Sequence, residues 1–133
     1  MEDKTAYEIM TRPAISAKKN ASARDIALQF ISEKYSGMPV TEEDGRVIGI
    51  VTEIDILNAV NDGRELARTT ASDIMTPDVA VANPDTPLTE MIKMMADFHI
   101  IRLPIVKEGK LIGVVSRGDI IRCLIQPEFM SNL

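Results

Sequence analysis

Tryptophan is absent from this chain, and aromatic residues make up only 4% of its 133 residues. Its interior must therefore be aliphatic and filled by its 8 methionines, which adapt to irregular gaps. A single cysteine excludes an internal disulfide and fits a reducing cytoplasm, where the chain is expected to reside. With one histidine, His99, and one cysteine, Cys123, there is no His/Cys zinc cluster and no HExxH motif. A Ser-His-Asp arrangement would have to recruit His99, and no nucleophile elbow accompanies it, so an enzyme is not expected. No apolar run reaches the ~18 residues of a bilayer span. The segment Met1-Glu2-Asp3-Lys4 lacks the basic-then-apolar pattern of a signal peptide, and no membrane partner is expected. Basic excess is missing as well. A net charge of -5 counts against a nucleic-acid partner, though not against a small anionic ligand held by a few local cations.

What is present is an internal repeat. Ile9-Met10-Thr11 recurs as Ile74-Met75-Thr76, and Pro39-Val40 recurs at the same spacing as Pro104-Ile105. Val47-Ile48-Gly49-Ile50-Val51-Thr52 returns as Leu111-Ile112-Gly113-Val114-Val115-Ser116 after a spacing one residue shorter. The slip falls in a turn, where such a change is tolerated. Asp55-Ile56 recurs as Asp119-Ile120. Two copies, 1–66 and 67–133, thus fill the chain. Hydrophobic residues at 45% and charged residues at 26% are ordinary for a globular protein of one domain or two small units.

Each copy reads as β-α-β-β-α. Short extended pieces are expected at 14–17 and 79–82. Helices follow in which Ile26, Phe30 and Ile31, then Leu88, Met91, Ile92 and Met95, recur at helical spacing. Thr86 is expected to cap the second of these, with Pro87 in its first turn. Hairpins are expected at 38–51 and 103–115, turning at Asp44-Gly45 and Glu108-Gly109, and closing helices at 53–61 and 117–125. Neither copy can hide its apolar faces alone. The expected architecture is therefore a mixed α/β (α+β) pair with pseudo-twofold symmetry and a ligand-sized cleft between the copies.

The ordered set of Ile-Met-Thr, Arg102-Leu103-Pro104-Ile105-Val106, Asn83-Pro84-Asp85-Thr86-Pro87-Leu88 and a twice-repeated Gly-x-Val-(Thr/Ser)-x-x-Asp resembles the CBS domain. The tandem form is the Bateman module, and the resemblance covers nearly the entire chain. It implies a regulatory module that binds AMP, ADP, ATP or S-adenosylmethionine between its repeats, with no required cofactor. It also implies a homodimer and a partner effector protein.

Thr52 and Ser116 stand where a helix begins, with Asp55 and Asp119 three residues on. One reading is a capping box alone, although aspartate reaches back to the cap amide less well than glutamate. The other is a ligand site. Free N–H groups at a helix start suit phosphate, and a carboxylate accepts two hydrogen bonds from a ribose diol. The resemblance implies the ribose role for Asp55 and Asp119 and the phosphate role for Thr52 and Ser116. Arg102 is either a solvated surface arginine or a phosphate clamp. The first copy has Ser36-Gly37 at the matching place, so two sites would be unequal. Ser16 keeps a hydroxyl where the second copy has Val81. Arg117 could reach a phosphate. Ile15, Pro39 and Pro104, in or beside the strands, complete the candidate set. Gly49 and Gly113 within strands signal close packing, and Cys123 is expected to be buried. The alternative function is a structural dimerisation or adaptor module with no ligand.

Overall fold

The computed structural model describes residues 3–33 and 35–131, with side chains described to residue 126. The chain runs through α1 (Ala6–Ile9), β1 (Ala17–Lys18), α2 (Ala23–Glu33), β2 (Gly37–Thr41), β3 (Val47–Thr52) and α3 (Glu53–Asn61). A 3-10 turn at Leu66–Arg68 leads to α4 (Ala71–Ile74) and β4 (Thr76–Pro77). Then come α5 (Leu88–Phe98), β5 (Arg102–Lys107), β6 (Lys110–Ser116) and α6 (Arg117–Ser131). The mixed α/β class expected from the sequence is the class observed.

These elements form two compact units, Ile15–Val79 and Met1–Ala14 with Ala80–Leu133. In the first, a sheet of order β1-β2-β3-β4 carries α2 and α3. β1 is parallel to β2 through Ala17 and Val40, and β4 is antiparallel to β3 through Gly49 and Pro77. Its core gathers Ile26, Phe30, Met38, Val40, Val51 and Ile56. In the second unit β5 and β6 form an antiparallel hairpin, and Ala82 bridges Ile105 in the position of β1. Leu88, Met91, Met95, Leu103, Ile105, Val115 and Ile120 form its core. The two-residue turn Glu108-Gly109, with φ of 54° and 80°, is the left-handed pair that matches strand twist in tight hairpins.

Sequence repeats and packed units divide the chain differently. The segment around α1 opens the first copy but packs with the second hairpin, and α4 opens the second copy but packs with the first hairpin. The docking bonds are equivalent. Ala6 N–H donates to the Thr86 carbonyl at 2.8 Å, and Ala71 N–H donates to that of Ala21 at 2.8 Å. Leu88 N–H reaches Lys4 O, and Ala23 N–H reaches Thr69 O, each at 2.7 Å. A four-residue helix has no stability of its own. Capping boxes at Thr5/Glu8 and Thr70/Asp73, and the complete burial of Ala6 and Ala71, hold these two in place.

Several expectations are corrected. The extended pieces shrink to β1 at Ala17–Lys18 and a single bridge at Ala82, while Thr76–Pro77 forms a strand instead. Ile31 is 78% exposed, because the inward face of α2 is formed by Ala23, Ile26 and Phe30 with Ala27 at its margin. Thr86 does not cap α5. Its buried hydroxyl accepts the Asn83 N–H at 3.1 Å, closing the preceding turn, and Pro87 is the cap residue. The second N–H of α5, on Thr89, is met from the chain start by Asp3, a carboxylate favoured at that helix end. α6 continues to Ser131.

Candidate functional site

Each hairpin feeds directly into a helix, so its last strand residue is also a helix cap. Thr52 N–H and hydroxyl both donate to Asp55 Oδ2, at 2.8 and 3.1 Å. At the second turn Ser116 N–H donates to Asp119 Oδ2 at 2.8 Å, and Asp119 N–H donates to Ser116 Oγ at 3.1 Å. Aspartate therefore reaches back to the cap amide, contrary to expectation, because the cap residue is extended and brings its N–H close to the first turn. The turns differ at the next helical step. Arg122 Nη2 donates to Asp119 Oδ1 at 2.6 Å, whereas Asn58 holds the matching place in α3. The Asp119 side chain is only 11% exposed and that of Arg122 is 67% exposed.

The remaining candidates divide between the units. Ile15 and the half-buried Ser16 precede β1 in the unit that also holds Pro39, Thr52 and Asp55. Arg102, Pro104, Ser116, Arg117 and Asp119 share the other. Arg102 stands opposite Ser116 in register and is half-buried. Pro39 and Pro104 are wholly buried, facing Ile50 and Val114 across their hairpins. Arg117 Nε donates to the Ile100 carbonyl at 2.9 Å and its N–H to that of Ile101 at 3.0 Å, so it braces the turn before β5.

The strand glycines are packing sites. A Cβ on Gly49 would lie 2.5 Å from Met75 Sδ and 2.7 Å from the Thr76 carbonyl oxygen. On Gly113 it would collide with Met10 Sδ and lie 2.8 Å from Met10 Cγ. The methionine of each Ile-Met-Thr motif thus lies against a glycine of the other repeat.

Beside Asp119 lies a cavity of about 500 Å³, lined by Lys4, Glu8, Ile9, Asp119, Arg122, Cys123 and Gln126. Sequence reasoning found only Asp119 of this set. The signal available was the stripe Asp119, Arg122, Cys123 and Gln126, which recurs at helical spacing on α6. Cys123 is half-exposed against this space rather than buried as expected. Thr5 donates its backbone N–H and its hydroxyl to Glu8, holding that carboxyl below its ordinary range. Among the described residues, no group of three or more His, Cys, Asp or Glu is placed to hold a metal ion. Nor, among those residues, is any helix long and apolar enough to cross a membrane.

A model of the CBS domain matches residues 6–62 and 71–126. The chain belongs to the CBS-domain family. An uncharacterized protein from Methanocaldococcus jannaschii is 31% identical, over 89% of this chain and 89% of that protein. The L-aspartate semialdehyde sulfurtransferase of the same organism is 29% identical over 86% of this chain, which spans only 22% of that longer protein. Among solved structures, CBSX2 in complex with AMP matches 94% of this chain and 98% of its own, at 27% identity and a TM-score of 0.84. A CBS domain pair in complex with methylthioadenosine and S-adenosylmethionine matches 95% of this chain and 99% of its own, at 27% identity and a TM-score of 0.83.

Proposed function

We propose that this CBS protein is a non-catalytic regulatory module that binds an adenosine-containing ligand: AMP, ADP, ATP or S-adenosylmethionine. The observation that carries the reading is the near-complete match to CBS proteins solved with AMP and with S-adenosylmethionine. The strand-to-helix turns support it chemically. Asp55 and Asp119 supply carboxylates for a ribose diol, while Thr52, Ser116 and Arg102 supply donors for phosphate. The bound state passes to a partner protein through a homodimer. Exposed apolar residues on α3 (Ile54, Leu57, Val60) and α6 (Ile121, Ile125) are available for self-association. The module works in the cytoplasm, in keeping with its lone free cysteine.

The competing reading is an adaptor without a ligand. It draws on Asp119, both of whose oxygens are engaged within the chain. Thermal unfolding with AMP, ADP, ATP, S-adenosylmethionine and NADH separates the two. A ligand at ~100 times its dissociation constant stabilises the fold by about 2.7 kcal/mol. Absence of a shift with every adenosyl compound favours the adaptor.

A further inference from the structure

A cation beside Asp119 distinguishes the second capping turn from the first. Where Asp55 is followed by neutral Asn58, Asp119 is followed by Arg122, whose Nη2 holds Oδ1 at 2.6 Å while the Ser116 N–H holds Oδ2. A ribose diol approaching this carboxylate meets a competitor already in place. The Arg122 side chain is 67% exposed and is solvated when it leaves, whereas the Asp119 side chain is 11% exposed and needs a replacement donor, which a ribose hydroxyl supplies.

We infer that Arg122 is the specificity-determining residue of the Asp119 site. It is a tethered cation that occupies the carboxylate in the free protein and moves to the phosphate of a nucleotide when the ribose takes Asp119. The inference rests on the ribose role proposed above for Asp119. Three further features carry it. The adjoining space, about 500 Å³, has the volume of a small-molecule pocket, and both Asp119 and Arg122 line it. Lys4 lines the same space and adds a second cation. Glu8, the other carboxylate in the lining, is already engaged by Thr5.

Ligand binding is then an exchange of partners. A phosphate accepts the guanidinium bidentately and replaces the contact that Asp119 gives up. A neutral nucleoside takes Asp119 and leaves Arg122 without a partner. The site is therefore selective for adenine nucleotides over adenosine or methylthioadenosine.

The test is calorimetric titration of the full chain with AMP and with adenosine, in an Asp55→Ala background so that only the Asp119 site is read. Arg122→Ala is expected to tighten adenosine binding severalfold and to lower the AMP-over-adenosine ratio at least tenfold. Arg122→Lys keeps the charge without the planar fork and is expected to give an intermediate ratio, and it carries the test if the alanine variant fails to fold. Intact binding with an unchanged ratio in both variants overturns the role of Arg122 and leaves the ligand site standing. Binding of neither compound by the background protein or its variants overturns the ligand site and this inference together.

Discussion

The two units are built from the same parts and differ in what lies along one helix. Each has a hairpin whose glycine is covered by a methionine from the other repeat, Met75 over Gly49 and Met10 over Gly113. In the unit Ile15–Val79 the polypeptide after α3 folds back along it. Arg64 N–H donates to the Ala59 carbonyl at 3.0 Å, and its guanidinium lies 4.0 Å from Asp73. Leu66 packs on the core of that unit. Ala59 and Asp73 correspond in the repeat to Cys123 and Glu8, which in the other unit line a cavity. Duplication has kept the docking of backbone on backbone and has let the helix flank diverge, so one copy is braced and the other retains space beside its aspartate.

The largest expected effect tests the shared part. Gly49→Ala is expected to cost about 1–3 kcal/mol, because the new methyl meets the Thr76 carbonyl as well as Met75 and the strand must shift. Gly113→Ala meets only the side chain of Met10 among its nearest atoms and is expected to cost less. Urea unfolding of both variants measures the difference, and equal losses would show that the methionine alone sets the limit. A smaller effect separates the capping turns. Asp55→Ala and Asp119→Ala each lose a cap contact and are expected to lower stability by about 1 kcal/mol. Asp119→Ala is further expected to weaken AMP far more than free adenine. Equal weakening by calorimetry would remove the ribose assignment.

The smallest effect is acidic. The Thr5 backbone N–H lowers Glu8 below 4.5, and the Thr70 backbone N–H lowers Asp73 below 3.8. A lowered folded-state value gives stability that is present above the unfolded value and lost as pH falls through the folded one. Melting temperature should therefore decline as pH drops below these ordinary values. Glu8→Gln and Asp73→Asn should each flatten the decline, Glu8→Gln from the higher pH. An unaltered slope in both would place the acid sensitivity elsewhere.

Much of this was legible in the residues. The repeat announced two equivalent hairpins, and Glu53–Asn61 is the helix its pattern indicated. Gly49 and Gly113 are packing sites, as their placement within strands implied. The exchange of α1 and α4 was not legible, because self-similarity shows which segments are alike and not which surface each one covers. Their capping boxes, Thr5-x-x-Glu8 and Thr70-x-x-Asp73, were written in the sequence but lead into helices too short to show periodicity. Ile31 misled because helical spacing alone does not set the width of a buried face, and α2 turns it outward. The bond from Arg117 to the Ile100 carbonyl was not legible either, because an acceptor on a neighbouring turn leaves no trace in composition.

The crossing of α1 and α4 means that neither half of the gene encodes a finished object. Severed at residue 66, the front piece would leave Gly49 bare for want of Met75, and the rear piece would leave Gly113 bare for want of Met10. Each fragment would then seek the missing cover on another molecule.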